Sequence, residues 1–297
     1  MKKIVLIANP ISGQGKAKKA ALLTKEVLDQ KNHDVHIEYT KHAGHATTLA
    51  QNLSQQYDIV VAVGGDGTVN EVAQGLIESG KTLGIIPTGS GNGLARHLKI
   101  PMNTKSAALC IDKEKKTSID TPTINGKHFF CTAGIGFDAH ISHVFSKMSG
   151  RGLSNYVKAI FKEYGSYKAG NYTLAYNNQT ETDHAFVITV GNAAQYGNEA
   201  MITPLASIKD GQLDVTILKK PSLITAMNWG IRLFMGNIHK GPNTKYFSTK
   251  KLTIDTTTNE KVVNGHRDGE PDQWSLPLEF SINEGRTLNV IVNSDEI

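Results

Sequence analysis

The sequence predicts an α/β domain followed by an all-β domain. Three observations carry this. Residues 3 to about 120 alternate short apolar strands with amphipathic helices. After about residue 120, strand-like pieces separated by turn signals take over. Three glycine-rich turns each follow a predicted strand of the first half, the pattern of a parallel sheet that carries its ligand at one edge. The division falls at 1–122 and 123–297, with the last strand left free to return to the first domain.

In the first half, KKIVLIAN reads as a strand, KAKKAALLTKEVLDQ as a helix, DVHIEYT as a strand and HATTLAQNLSQQ as a helix. DIVVAVG is apolar without alternation, as a parallel strand covered on both faces must be. TVNEVAQGLIES places Val69, Val72, Ala73, Leu76 and Ile77 on one helical face. KTLGIIP is another strand, and GNGLARHL and TKSAALCID are helices. This is an open, Rossmann-like α/β domain. The second half gives strands in KTSIDTPTINGKHFFCTAGI, NYTLAYNNQTET, HAFVITVGNA, GQLDVTILK, KKLTIDTTTNEKVVNG, LPLEFSINEG and RTLNVIVN. TING, YNNQT and VVNGH read as hairpin turns. Two helices interrupt: RGLSNYVKAIFKEYG, with Leu153, Tyr156, Val157, Ile160, Phe161 and Tyr164 on one face, and SLITAMNWGIRLFMG. Two layers of such strands make a β-sandwich.

The composition, 39% hydrophobic and 20% charged, is that of a globular chain, and a net charge of +5 is far from a nucleic-acid-binding signature. No apolar run approaches the roughly 18 residues of a membrane span. MKKIVLIANP is expected to be a first strand rather than a signal peptide. Cys110 and Cys131 make no framework and no CxxC pair, which fits a reducing cytoplasm.

Candidate chemistry starts at GGDGT, residues 64–68. Glycines there let backbone approach a ligand, and the helix start that follows favours anions. Asp66 is itself an anion, so phosphate and carboxylate together imply a cation between them. NPISGQGK, residues 9–16, is neither a Walker A loop nor GxGxxG, but Gly13 and Gly15 can expose N–H groups to phosphate. PTGSGNGLAR, residues 87–96, adds Ser90 and Asn92 at the next strand end. In the second half, Asp268 and Glu270 of HRDGEP and Asp210 and Asp214 of IKDGQLD are acidic pairs around DG, which is also a common hairpin turn.

Taken in order and spacing, NPISGQGK, GGDGTVNEV, PTGSGNGLARHL, GIGFDA and DGEP resemble the diacylglycerol kinase catalytic domain family, closest to its soluble bacterial lipid kinases and related to sphingosine and ceramide kinases. The resemblance covers nearly the whole chain. GGDGT alone is shared with NAD kinases and phosphofructokinases; with PTGSGN and a late DGE it narrows to lipid kinases. The resemblance implies ATP and magnesium in a cleft between the α/β domain and the sandwich. By motif match, Asn9, Thr40, Gly64, Gly65, Asp66, Gly67, Thr68, Asn70 and Ser90 correspond to ATP-contacting positions. Asp268 corresponds to the general base, with Glu270 beside it. Ser207, Asp210 and Gln212 of SIKDGQ correspond to a structural magnesium site, and Asp120 and Asp138 to further acidic positions. Gly93 stands where many bacterial members carry an acid, which leaves the acceptor open among diacylglycerol, phosphatidylglycerol and sphingoid types.

A lipid kinase of this kind is expected in the cytoplasm, touching an anionic membrane surface transiently, with Lys147, Arg151, Lys158 and Lys162 as the candidate basic face. An NAD kinase-like enzyme and a non-catalytic nucleotide- or lipid-binding module are the alternatives.

Overall fold

The computed structural model describes residues 1–148, 153–258, 261–283, 285 and 287–294. The chain begins β1 (Lys3–Ala8), α1 (Lys16–Asp29), β2 (Asp34–Tyr39), α2 (His45–Leu53), β3 (Ile59–Gly64) and α3 (Asp66–Leu76). It continues β4 (Thr82–Pro87), α4 (Gly93–His97), α5 (Thr104–Asp112) and β5 (Lys116–Asp120). Then come β6 (Thr123–Ile124), β7 (Lys127–His128), β8 (Thr132–Gly136), α6 (Phe137–Lys147) and α7 (Leu153–Tyr164). After these follow β9 (Gly170–Tyr176), β10 (Gln179–Ala185), β11 (Val187–Gly191), β12 (Leu213–Leu218) and α8 (Leu223–Phe234). The chain closes with β13 (Thr244–Thr249), β14 (Lys251–Thr256), β15 (Val262–Arg267), β16 (Glu270–Ser275), β17 (Leu278–Ser281) and β18 (Thr287–Ile291).

Two units result, Met1–Thr121 with Gly285–Ile297, and Pro122–Glu284. The first unit is a six-stranded sheet of order β2-β1-β3-β4-β18-β5. The first four strands are parallel. Every residue of β3 and β4 is buried, which is why these strands read as unbroken apolar runs. α2 packs with α3, and α1 with α5. The last strand, left open by the sequence, returns to this sheet. β18 lies parallel to β4 and antiparallel to β5, and covers the edge that β4 would otherwise leave open. Leu288, Val290 and Ile291 are buried there.

The second unit holds two six-stranded sheets, β10-β9-β14-β17-β6-β7 and β13-β12-β11-β8-β15-β16. They share one core: Ile124, Leu174, Ile254 and Phe280 of the first sheet meet Ala133, Ile135, Ile188, Val190 and Val215 of the second. This is the sandwich that the alternation predicts. The second sheet's other face is covered as well. There Phe137, Ile141, Val187, Leu218 and Trp229 form a separate cluster with residues of α6, α7 and α8.

TING and YNNQT turn as expected, with Asn125, Gly126, Asn177 and Asn178 all at positive φ. VVNGH does not turn. Asn264 and Gly265 lie inside β15, and a Cβ on Gly265 would sit 2.3 Å from Cδ1 of Trp274 on the paired strand. That glycine makes room for an indole rather than a bend. One further helix, α6, begins within GIGFDA, where no apolar stripe marks it. On α7, Ile160 and Tyr164 pack against the cluster, whereas Phe161 is 72% exposed. The side chains of Leu153, Tyr156 and Val157 lie outside the described residues.

Candidate functional site

In the first unit the three glycine turns pack on one another. Gly13 has φ +59, and a Cβ there would lie 2.3 Å from the Thr88 carbonyl oxygen. A Cβ on Gly89 would lie 2.7 Å from Gly65 Cα. Thr88 Oγ1 donates to Ser12 Oγ at 3.4 Å. The turns after β1, β3 and β4 are therefore one cluster at the carboxyl ends of parallel strands, the edge where open α/β sheets hold ligands.

Asp66 opens α3 and ties this cluster together. Its Oδ2 accepts from the Asn92 N–H at 2.8 Å and its Oδ1 from the Gly93 N–H at 2.7 Å. These are the first N–H groups of α4. Asn92, left-handed at φ 55, holds the loop from inside: its Oδ1 accepts from the Gly89 N–H at 3.0 Å and its Nδ2 donates to the Gly89 carbonyl at 2.8 Å. The carboxylate in the turn is thus answered by backbone N–H groups. Asp66 thereby ties the start of α3 to the start of α4.

The other expected nucleotide positions divide by exposure. Asn9 follows β1, with its Oδ1 accepting from the Ile11 N–H at 3.3 Å. Thr40 follows β2 and donates its N–H to Ala8 at 3.0 Å. Gly65 and Gly67 are half-buried and Ser90 is exposed. Gly64, Thr68 and Asn70 are buried. A Cβ on Gly64 would lie 2.4 Å from Thr68 Cβ, and Asn70 Oδ1 accepts from Gln74 Nε2. Thr68 thus packs against Gly64, and Asn70 bonds within α3. Beside the cluster a cavity of about 430 Å³ is lined by Lys16, Lys19, Thr88, Ser90, Arg96 and Thr104, among others. Lys16, Lys19 and Arg96 were not among the expected site residues. Their signal was present, since Lys16 and Arg96 end the two glycine motifs and Lys19 follows in KAKK, but basic residues at a helix start are also ordinary surface residues.

His97 ends α4 next to this cluster. Burial, reinforced by Lys99, pulls its imidazole down from 6.5 to about 4. Between these values the unfolded chain binds the extra proton and the folded chain does not, so stability is full above about 6.5 and is lost as pH falls towards 4. The loss is at most about 3 kcal/mol, less what solvent at the half-buried ring screens. Urea unfolding at neutral and mildly acidic pH should show wild type losing stability that His97→Gln keeps. Parallel losses in both proteins would remove His97 as the cause.

In the second unit, Asp268 and Gly269 form the two-residue turn between β15 and β16, at φ 49 and 82. This is the hairpin turn that a DG pair favours. The Asp268 side chain, however, turns inward and is 8% exposed. Its Oδ1 accepts from the N–H groups of Cys131 at 2.7 Å and of Phe130 and Thr132 at 3.2 Å, and its Oδ2 from Phe130 at 3.0 Å. Ser142 of α6 donates to the Gly269 carbonyl at 3.0 Å. The amide cradle of FFCT has no side-chain signature, so sequence could not show it. Glu270 is exposed at the start of β16, opposite Arg267.

Ser207, Asp210 and Gln212 lie together in the loop before β12. Asp210 is exposed and its Oδ1 accepts from the Gln212 N–H at 3.0 Å. Asp214 is buried, bonded by Tyr246 Oη at 2.7 Å and Ser248 Oγ at 2.9 Å. Burial, with Asp210 nearby, pushes the Asp214 carboxyl up against those hydrogen bonds. Among the described residues no group of three or more His, Cys, Asp or Glu side chains gathers for a metal. The exposed Asp210 carboxylate is a hard oxygen donor of the kind magnesium takes. This loop and the DGE turn reach the same end of one sheet. Asp214 lies opposite Gly191, Gly191 opposite Thr132, and Asp268 N–H donates to the Thr132 carbonyl at 2.8 Å. Three strand spacings separate them, roughly 14 Å.

Asp120 ends β5 opposite Thr287. Asp138 is buried at the start of α6, bonded by Tyr196 Oη at 2.6 Å, Thr189 Oγ1 at 2.8 Å and His266 Nε2 at 3.0 Å. Burial pushes its carboxyl up, but His266 and the two hydroxyls outweigh burial and hold it below the usual carboxylate range.

Two family descriptions match the chain: "Diacylglycerol kinase catalytic domain" over residues 3–124, and "YegS C-terminal NAD kinase beta sandwich-like domain" over 131–292. A diacylglycerol kinase of Bacillus subtilis is 29% identical over 304 residues, covering 100% of this chain and 98% of that one. An uncharacterized Synechocystis protein is 27% identical over 277 residues, which are 87% of this chain but 64% of that longer one. A solved diacylglycerol kinase structure from Bacillus anthracis superposes with a TM-score of 0.76 at 25% identity, covering 99% and 98% of the two chains.

Proposed function

Since the chain belongs to the family that joins a diacylglycerol kinase catalytic domain to a C-terminal NAD kinase β-sandwich-like domain, and is a lipid kinase, we propose that it moves the γ-phosphoryl group of ATP, with magnesium, onto a lipid hydroxyl of the diacylglycerol, phosphatidylglycerol or sphingoid type. The observation that carries this is the packed cluster of three glycine turns beside a cavity lined by Lys16, Lys19 and Arg96. Phosphoryl transfer needs positioning and charge neutralisation more than covalent help. The glycine-turn N–H groups and these cations suit a polyphosphate. Asp66 holds the two turns in register and acts at the cation, directly or through water. Asp268 accepts the proton of the attacking hydroxyl. Magnesium, when bound, supplies neutralisation of the phosphate charge. Ser207, Asp210 and Gln212 would hold a separate, structural magnesium.

Among the described residues no helix is long and apolar enough to cross a membrane. On this reading the lipid acceptor is met at a membrane surface. Lys147, Lys158 and Lys162 are exposed, and Arg151 lies outside the described residues.

Thermal melts test the nucleotide and metal roles together. ATP with magnesium should raise the wild-type midpoint by mass action, and NAD should not. Magnesium alone should raise it too, and Asp210→Ala should abolish that second gain. A wild-type midpoint that ignores magnesium, or an Asp210→Ala protein that responds like wild type, would remove the structural metal.

A further inference from the structure

α8 is built with its apolar residues outward. Trp229 is the buried residue among those described on this helix, with Nε1 donating to the Pro242 carbonyl at 2.8 Å, and Leu233 packs beside it against the core. Leu223, Ile224, Met227, Ile231 and Phe234, with Met235 just beyond, are instead 55% to 81% exposed. The spacing from Ile224 through Met227 and Ile231 to Phe234 is three, four and three residues, so they form one stripe. Scattered exposed apolar residues are ordinary, but a continuous stripe marks a contact surface.

The charge around the stripe says what the contact is. From Val215 to Ile254 the sequence has no Asp or Glu, and it carries Lys219, Lys220, Arg232, Lys240, Lys245, Lys250 and Lys251. Lys219 pairs with Asp183 at 2.9 Å, and Lys245 pairs with Glu181. Arg232, in the last turn of α8, is held by Asn228 Oδ1 at 2.8 Å and the Asn237 carbonyl at 3.4 Å, whereas Lys220 stands just before α8 and Lys240 in the 3₁₀ turn Ile238–Lys240 that follows. We propose that the outer stripe of α8 is the docking surface for an anionic lipid bilayer, with Lys220 and Lys240, both exposed, facing lipid phosphates. The proposal rests on the lipid kinase reading, which puts the acceptor in a bilayer. A helix of 12 residues is about 18 Å long, well short of a roughly 30 Å hydrocarbon core, so it lies in the interface and does not span. A second copy of the chain fits less well. Across a two-fold axis the same cations would face one another with no carboxylate on this stretch to answer them.

Sedimentation with vesicles of phosphatidylcholine containing phosphatidylglycerol, and of phosphatidylcholine alone, tests this. Wild type should bind the anionic vesicles preferentially. Ile224→Asp with Ile231→Asp should cut binding by ~10-fold or more while leaving activity on short-chain lipid in detergent micelles unchanged. Cys110 and Cys131 are buried, so Ile231→Cys can be labelled alone with an environment-sensitive fluorophore, whose emission should shift to the blue on adding anionic vesicles. Vesicle binding unchanged by the double variant, or a fluorophore that stays in water on bound vesicles, overturns the proposal. A fluorophore that shifts without vesicles, with a dimer that the double variant dissociates, also overturns it and makes the stripe a self-association surface. Failure of the kinase reading would look different: wild type itself would be inactive in micelles.

Discussion

Asp268→Asn is expected to lower turnover on lipid by ~10²–10⁴-fold, the usual cost of losing a general base. The geometry also makes the substitution more than a silent exchange. The carboxylate sits in a cradle of the Phe130, Cys131 and Thr132 N–H groups. An asparagine keeps one acceptor oxygen and turns an NH₂ towards donors, which leaves a buried amide unsatisfied at about 1–3 kcal/mol. The variant should therefore melt a few degrees early and, assayed well below that midpoint, should still bind ATP while failing to transfer. Lower stability with wild-type turnover would reduce DGE to a hairpin turn with a structural anchor.

Asp66→Ala is expected to cost ~10²-fold or more in turnover, on the scale of removing a preorganised charge partner at the phosphates. It also frees the Asn92 and Gly93 N–H groups, so the loop of Ser90 loses its tie to α3. Two separable effects follow: a stability loss of about 1–3 kcal/mol from the unmade hydrogen bonds, and a weaker dependence of activity on magnesium concentration. Asp66→Asn should recover part of the first and little of the second, because its oxygen can accept one N–H bond but carries no charge. Asp66→Asn with full activity and an unchanged magnesium dependence would leave Asp66 a loop clamp only.

Legibility in the sequence followed the physics of each element. β3 and β4 could be read because strands buried on both faces have no polar alternation. The turns at Asn125–Gly126 and Asn177–Asn178 could be read because a two-residue hairpin needs positive φ, which Asn and Gly tolerate. Asn264–Gly265 carries the same letters, but its glycine answers to Trp274 across the sheet, a demand no local window contains. α6 escaped because its polar residues bond inward. His143 Nε2 meets the carbonyls of Gly265 and Asp272 at 3.1 and 2.9 Å, and His140 meets Glu163 at 2.9 Å, so no clean apolar stripe shows. At the site, the acidic residues were visible as letters. Their partners were not, because Asp66 and Asp268 are both held by backbone N–H groups, which every residue but proline has.

The most direct test of the central claim is transfer from γ-labelled ATP, with magnesium, to a panel of diacylglycerol, phosphatidylglycerol, sphingosine, ceramide and NAD in detergent micelles. A lipid kinase built as described yields label in an organic-phase product with at least one of the lipids, lost in Asp268→Asn. Label appearing only in NADP, or no transfer to any acceptor despite ATP binding, would contradict it.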